Sequence, residues 1–313
     1  MSVAPALPAL HDPALPGFVT DGGLETDLIF HHGVDLPQFA AFPLVDDAAG
    51  RDLLTTYYDG YARVAAAASA GLLVETPTWR ANPDWAALVG YDAGALARVN
   101  ADAVGLARSL ADRYAADVPA VLVVGTVGPW GDGYVVGEAV TAEQARDYHA
   151  AQVGALAGAD LVAAYTLTTA AEAVGAVLAA RGAGVPVAVS FTVETDGRLP
   201  DGSTLSAAVA AVEEAAPPDH FLVNCAHPTH VLAGLDGGAW QERVLGTRVN
   251  ASTLSHAELD AAEDLDDGDP ARLRAEQEQL AGQLTRLRVV GGCCGTDVRH
   301  VASLWGVPGA AGA

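Results

Sequence analysis

The feature that most constrains this chain is an alternation. Short apolar, β-rich runs occur at Phe18–Thr20, Leu72–Glu75, Ala120–Thr126, Leu161–Tyr165, Val185–Phe191, Phe221–Asn224, Val244–Val249 and Leu287–Val290. Ala-rich or amphipathic helical stretches lie between most of them, at Leu53–Ala68, Ala95–Tyr114, Ala142–Ala157, Ala170–Arg181 and Ala271–Leu284. Parallel strands need a crossover long enough to hold a helix, so this pattern predicts repeated parallel β/α units. Eight such units close into a (β/α)8 TIM barrel, with the chemistry on the loops after the strand C-termini. The alternative is a doubly wound open sheet. No Gly-rich dinucleotide fingerprint or phosphate-binding loop follows the early strands to support it.

The chain has 313 residues, 51% of them hydrophobic, enough for a large core in one or two domains. No break in composition marks a second domain, so a single barrel over residues 1–313 is expected. Residues 1–16 carry Pro5, Pro8, Pro13 and Pro16 and read as an extended lead-in. This segment lacks the basic start and apolar stretch of a secretory signal, and no apolar run is long enough to span a bilayer. The expected location is the cytoplasm. Net charge is −23, and every Lys/Arg position is arginine. So acidic a surface repels phosphate backbones and anionic lipids, which argues against nucleic-acid and membrane-surface roles. The acidic run His256–Asp269 after the seventh strand reads as a solvated loop and helix.

There are three cysteines, too few and too odd in number for a disulfide scaffold. Cys225 directly follows the sixth predicted strand, in FLVNCAHP. Cys293 and Cys294 follow the eighth, in VVGGCCGTD. In a barrel both strand ends face the same mouth, so three thiols converge there. Three thiolates suit Zn²⁺ and leave a fourth position open, as in catalytic zinc sites. Gly291, Gly292 and Gly295 are read as giving the backbone the freedom to turn both adjacent sulfurs to one ion. Taken alone, the Cys-Cys pair also fits buried small hydrophobes, a vicinal disulfide or a redox pair. Neither the disulfide nor the redox pair accounts for Cys225. His227 and His230, in CAHPTH, offer a mixed Cys/His site as a lesser alternative, and His300 reads as structural.

With these motifs in place, the chain resembles the homocysteine S-methyltransferase family from about Phe18 to about Leu304. GGCCGT is similar to that family's zinc motif, and Asn224-Cys225 to its upstream Asn-Cys element. DGGLETDL at Asp21–Leu28, TPTWRAN at Thr76–Asn82, GADLV at Gly158–Val162 and SFTVETDGRLPDG at Ser190–Gly202 resemble further family segments. The resemblance implies a (β/α)8 barrel whose three cysteines bind zinc. It also implies transfer of a methyl group to the sulfur of homocysteine, forming methionine. Two positions depart from the family pattern. Tyr165 stands where many members carry a glutamate that holds the acceptor's amino group, and Glu25 stands where a small residue is more common. Another thiol or a selenol as acceptor, or a non-catalytic zinc- or thiol-binding protein, are the competing readings.

The chemistry expected of such a site follows from charge. Three cysteine thiolates and a substrate thiolate around Zn²⁺ leave the sulfur electron-rich, which favours a cationic methyl donor and removes the need for a general base. The protein's task is then alignment. S-methylmethionine is the expected donor, with S-adenosylmethionine next. Cobalamin and folate use, with their separate binding domains, is not expected of a chain this compact. Asp21 is read as meeting the substrate ammonium, with Gly22 and Gly23 offering amides to its carboxylate, the alternative being that DGG is simply a tight turn; Glu25 and Thr26 follow as further substrate-binding candidates. Trp79, Trp130 and Tyr165 lie at or just after strand ends, where an aromatic face holds a methylated cation or simply packs the loops. Asn224 and Thr296 are expected to donate hydrogen bonds to the ligand sulfurs.

Overall fold

The structure, a computed structural model, describes residues 7–308. Eight parallel strands close into a barrel in sequence order: β1 (Phe18–Val19), β2 (Gly71–Glu75), β3 (Val121–Val127), β4 (Leu161–Leu167), β5 (Val187–Phe191), β6 (His220–Ala226), β7 (Val244–Val249) and β8 (Val289–Gly292). Closure is made by β8 against β1, where Phe18 pairs with Val289 and Val19 with Val290. Almost every strand residue is buried, as expected of a parallel sheet covered on one face by helices and filled on the other by its own side chains.

The helices are α1 (Leu24–Phe30), α2 (Ala48–Ala68), α3 (Pro83–Leu88), α4 (Ala93–Tyr114), α5 (Ala142–Leu156), α6 (Ala170–Ala183), α7 (Leu205–Ala215), α8 (Pro228–Ala233), α9 (His256–Asp260), α10 (Pro270–Gln283) and α11 (Val298–Leu304). Side chains before the helices set their starts. Asp47 accepts from the amides of Ala49 and Gly50, and Thr141 and Gln144 form a reciprocal capping box on α5. The barrel interior is packed by Phe18, Leu73, Val124, Leu161 and Leu222.

The lead-in differs from expectation. Pro8–His11 form a short 3-10 turn rather than extended chain, and Leu10 (1% exposed) packs with Phe18 and Val289 in the interior cluster. Arg288 holds this turn by donating from Nε to the Leu10 carbonyl at 2.9 Å. Residues 1–6, including Pro5, lie outside the described residues.

Several strands run further than the sequence pattern suggests, and two of these extensions bear on the site. β6 continues through Ala226, so Cys225 belongs to the strand, and β4 continues through Leu167, past Tyr165. Polar residues at these ends broke the apolar runs in the sequence. They face the barrel mouth, where polarity serves the site. None of the helices among the described residues is long and apolar enough to cross a membrane.

Candidate active site

Three sulfurs meet at the C-terminal mouth of the barrel. Cys225 arrives on β6, and Cys293 and Cys294 follow β8 directly. Their Sγ atoms all lie within 4.8 Å of one another, and Cys225 and Cys294 are 3.5 Å apart. A tetrahedron built on Zn–S bonds of about 2.3 Å has edges of about 3.8 Å, so the cluster has the size and the soft donors to hold one such ion. Hydrogen bonds from Cys225 and Cys294 pull the Cys293 thiol well below its ordinary range, and Arg248 adds to the effect. The same sharing, together with burial, pushes Cys225 up.

The glycines around the pair act differently from one another. Gly295 has φ +77° and makes the turn that sequence reasoning asked for. Gly291 and Gly292 instead lie in β8, and what they provide is space. A Cβ on Gly291 would fall 2.4 Å from Thr20 Cγ2, and one on Gly292 would fall 1.9 Å from Thr296 Oγ1. Cys225 itself adopts φ +55°, a left-handed conformation costly for a side-chain-bearing residue. Asn224 stands behind the cluster. It accepts from Ser190 Oγ at 2.7 Å and from the Thr166 amide at 2.8 Å, and its Nδ2 reaches Cys293 Sγ at 3.9 Å. Thr296 does not contact a sulfur as expected; its hydroxyl donates to the Cys293 carbonyl at 2.7 Å and so fixes the turn.

Tyr134 was missed in the sequence. Its Oη lies 3.1 Å from Cys225 Sγ and 3.2 Å from Cys294 Sγ. The ring stacks on His256, with centroids 4.2 Å apart, and His256 Nε2 bonds the Cys225 carbonyl at 2.6 Å. Tyr134 sits in the long glycine-containing loop between β3 and α5. An aromatic residue in a loop of that length was the available signal.

Below the thiols lies a buried charge network that the sequence reading also missed. Arg248 of β7 donates from Nη2 to Asp21 Oδ1 at 2.5 Å and from Nη1 to Glu75 Oε2. Its remaining reach goes to the carbonyls of Gly292 and Gly22, each at 3.0 Å. Thr20 and Tyr165 donate to Glu75 Oε1 at 2.7 and 2.8 Å, and Tyr57 donates to Asp21 Oδ2 at 3.2 Å. Burial pushes Asp21 up to about 7 against the pull of Arg248. A charged residue at the end of one mostly apolar strand, GLLVE, and next to the end of another, VLGTRV, was the sequence signal. Thiols and network together line a cavity of about 510 Å³.

A family model described as homocysteine S-methyltransferase matches residues 18–305. The chain belongs to the homocysteine S-methyltransferase family. Among solved structures it is similar to the homocysteine methyltransferase MmuM from Escherichia coli in its oxidized form, at 25% identity and a TM-score of 0.75, covering 96% of this chain and 99% of that one. The metallated form of the same E. coli protein superimposes with a TM-score of 0.73 at 24% identity, covering 97% and 99%. A methionine synthase from Mycobacterium tuberculosis is 29% identical over 261 residues, 80% of this chain. The chain spans about a fifth (21%) of that relative's length.

Other sequence-assigned residues of this homocysteine S-methyltransferase family member fall in varied places. Gly23 is not free to bind a carboxylate, because its amide donates to the Thr296 carbonyl at 3.0 Å. Gly22 packs against the same carbonyl, where a Cβ would come within 2.7 Å. Thr26 is likewise committed: it donates to the Gly23 carbonyl at 3.0 Å and accepts from the Gly295 amide at 3.1 Å. The DGG turn is therefore the seat of the second cysteine loop. Glu25 lines the cavity, and burial pushes it up to about 7.

Trp79 also lines the cavity, but Trp130 does not; it stacks on Tyr148 at 4.3 Å and is a packing residue. Its amide is held by Glu172 at 2.5 Å. His227 Nδ1 bonds the Thr229 hydroxyl at 2.8 Å and its Nε2 lies 3.1 Å from Glu276 Oε2, and neither it nor His230 joins the thiol cluster. His300 closes a capping box with Asp297. Part of the acidic run, including Asp260, Asp264 and Asp266, lines the cavity mouth and is more than a solvated face.

Proposed function

We propose that this protein moves a methyl group from a sulfonium donor, S-methylmethionine or S-adenosylmethionine, to the thiolate of homocysteine, forming methionine. The observation that carries the reading is the convergence of Cys225, Cys293 and Cys294 on a cavity large enough for an amino acid and its methyl donor. Cys225, Cys293 and Cys294 would hold Zn²⁺. Bound there, zinc keeps a substrate sulfur deprotonated near neutral pH.

The chain's own residues do the aligning. Asp21 and Glu75 set two carboxyl groups around the single guanidinium of Arg248, a floor whose oxygens suit the acceptor's ammonium group. Tyr165 orients Glu75 in that floor. Tyr134 covers Cys225 and Cys294 from the loop side and keeps bulk water from the sulfurs. Acidic side chains at the mouth, such as Asp260 and Asp264, favour entry of a cationic sulfonium. The cytoplasm is the expected setting for free thiols of this kind.

A second reading keeps the chemistry and changes the acceptor. Arg248 occupies the space between the two carboxylates, and this favours a thiol or selenol other than homocysteine. The test is a donor-by-acceptor matrix on zinc-loaded protein, with Cys294→Ala beside the parent. The expected result is methionine formation and one equivalent of bound zinc in the parent, both lost in the variant. A variant that keeps both would sink the assignment. A clear preference for another thiol would replace homocysteine.

A further inference from the structure

The aromatic side chains at the cavity rim look like a cage for a methylated cation, but the protein fills that cage itself. The guanidinium carbon of Arg80 lies 3.8 Å from the centroid of Trp85, 5.2 Å from Trp79 and 5.8 Å from Phe39. Stacking of this kind favours Arg and fixes the plane of its donors. Yet those donors are poorly used. Nη1 donates to the Gln38 carbonyl at 2.8 Å, whereas Nη2 is 3.8 Å from Asp132, beyond hydrogen-bond range. Nε is buried with no partner, and the side chain is only 15% exposed.

A buried guanidinium with spare donors is expensive unless something arrives to accept from them. Arg80 and Arg248 are the cationic side chains of the cavity lining, among the described residues. Arg248 is spent on two carboxylates and two carbonyls. Every other charged group on the wall is acidic or a thiol, including Glu25, Asp132, Asp260 and Asp264. Arg80 is therefore the lining cation with donors left for a ligand carboxylate.

Resting on the sulfonium reading above, we propose that Arg80 binds the carboxylate of the methyl donor and thereby sets donor specificity. The position selects the donor over the acceptor. The acceptor's sulfur belongs at the thiols, with its polar end over the buried Asp21–Arg248 floor. Arg80 lies on the loop after β2, among Phe39, Trp79 and Trp85 and outside the Asp21–Glu75–Arg248 network. The loop of Asp132 and Tyr134 joins the two regions: Asp132 faces Arg80, it accepts from the Tyr134 amide at 2.7 Å, and the Tyr134 hydroxyl touches the thiols.

The test compares S-methylmethionine with its decarboxylated counterpart, (3-aminopropyl)dimethylsulfonium, in the parent, Arg80→Gln and Arg80→Lys. A parallel arm compares homocysteine with 3-aminopropanethiol as acceptor. The donor preference, as a ratio of kcat/KM, is expected to fall by about tenfold to a hundredfold in Arg80→Gln and by less in Arg80→Lys. The acceptor preference should change less than about twofold, a level typical of an uncoupled site. S-methylmethionine binding, read by fluorescence of the flanking tryptophans, should weaken in step while zinc content is unchanged. If Arg80→Gln does not fold, Arg80→Lys carries the comparison.

An unchanged donor ratio, or a fall in the acceptor ratio instead, would overturn the assignment alone. A parent that turns over neither sulfonium would overturn the sulfonium reading and this assignment with it.

Discussion

The hydroxyl of Tyr165 on β4 donates to Oε1 of Glu75 on β2 at 2.8 Å. The tyrosine that stands in place of an expected carboxylate thus holds a carboxylate from a strand two positions away. Glu75 is 3% exposed and paired with Arg248, so it sits in the cavity floor as an oriented acceptor. The departure in sequence at β4 is matched by a carboxylate entering from another strand.

Removing that carboxylate should therefore affect the acceptor more than removing the tyrosine hydroxyl. Glu75→Gln is expected to raise KM for homocysteine about tenfold, the size of one charge-assisted hydrogen bond. Tyr165→Phe leaves the charge in place and is expected to raise KM only about threefold, as for a neutral donor. Steady-state kinetics at saturating donor make the comparison. If Tyr165→Phe proved the more damaging, the ammonium would not be held by Glu75.

Tyr134 makes a different prediction, because it touches sulfur rather than substrate. Its hydroxyl is shared between Cys225 and Cys294. Tyr134→Phe removes the one hydroxyl proton shared between the two sulfurs and keeps the ring stacked on His256. Zinc affinity is expected to drop about tenfold, the low end for an outer-shell partner. Chelator competition with the purified variant reads this directly. Unchanged affinity would reduce Tyr134 to loop packing.

Stability should depend on pH at the opposite end of the barrel. His220 begins β6, 3% exposed, and burial lowers its pKa from 6.5 to about 4. The unfolded chain takes up the proton first as pH falls. The stability owed to neutral His220 is thus fully present above about 6.5 and lost as pH drops to about 4, at most about 3 kcal/mol. His220→Gln should flatten the fall in urea midpoint across that window. Parent and variant curves of equal slope would rule this out. Asp21 and Glu25 are raised and act in the other direction, gaining stability on acidification, so the comparison must be made between variants rather than within one curve.

What the sequence determined by itself was periodic or compositional. Strand–helix alternation dictated the barrel because parallel strands require crossovers, and a barrel brings all strand C-termini to one mouth. That was enough to gather Cys225 and Cys294, 69 residues apart, with Cys293 at one mouth. What only the tertiary structure decided were partners distant in sequence with no periodic signal. Glu75 and Arg248 are 173 residues apart and meet because β2 and β7 both face the barrel axis. Tyr134 reaches the thiols because its loop folds back over the mouth. Gly23 and Thr26, which looked free to bind substrate, are bonded to the β8 loop that carries the cysteine pair. Arg80, one charge among many in the sequence, lies stacked among three aromatic rings with donors to spare. Hydrogen-bond accounting is a property of packed three-dimensional neighbours, and a linear chain does not display it.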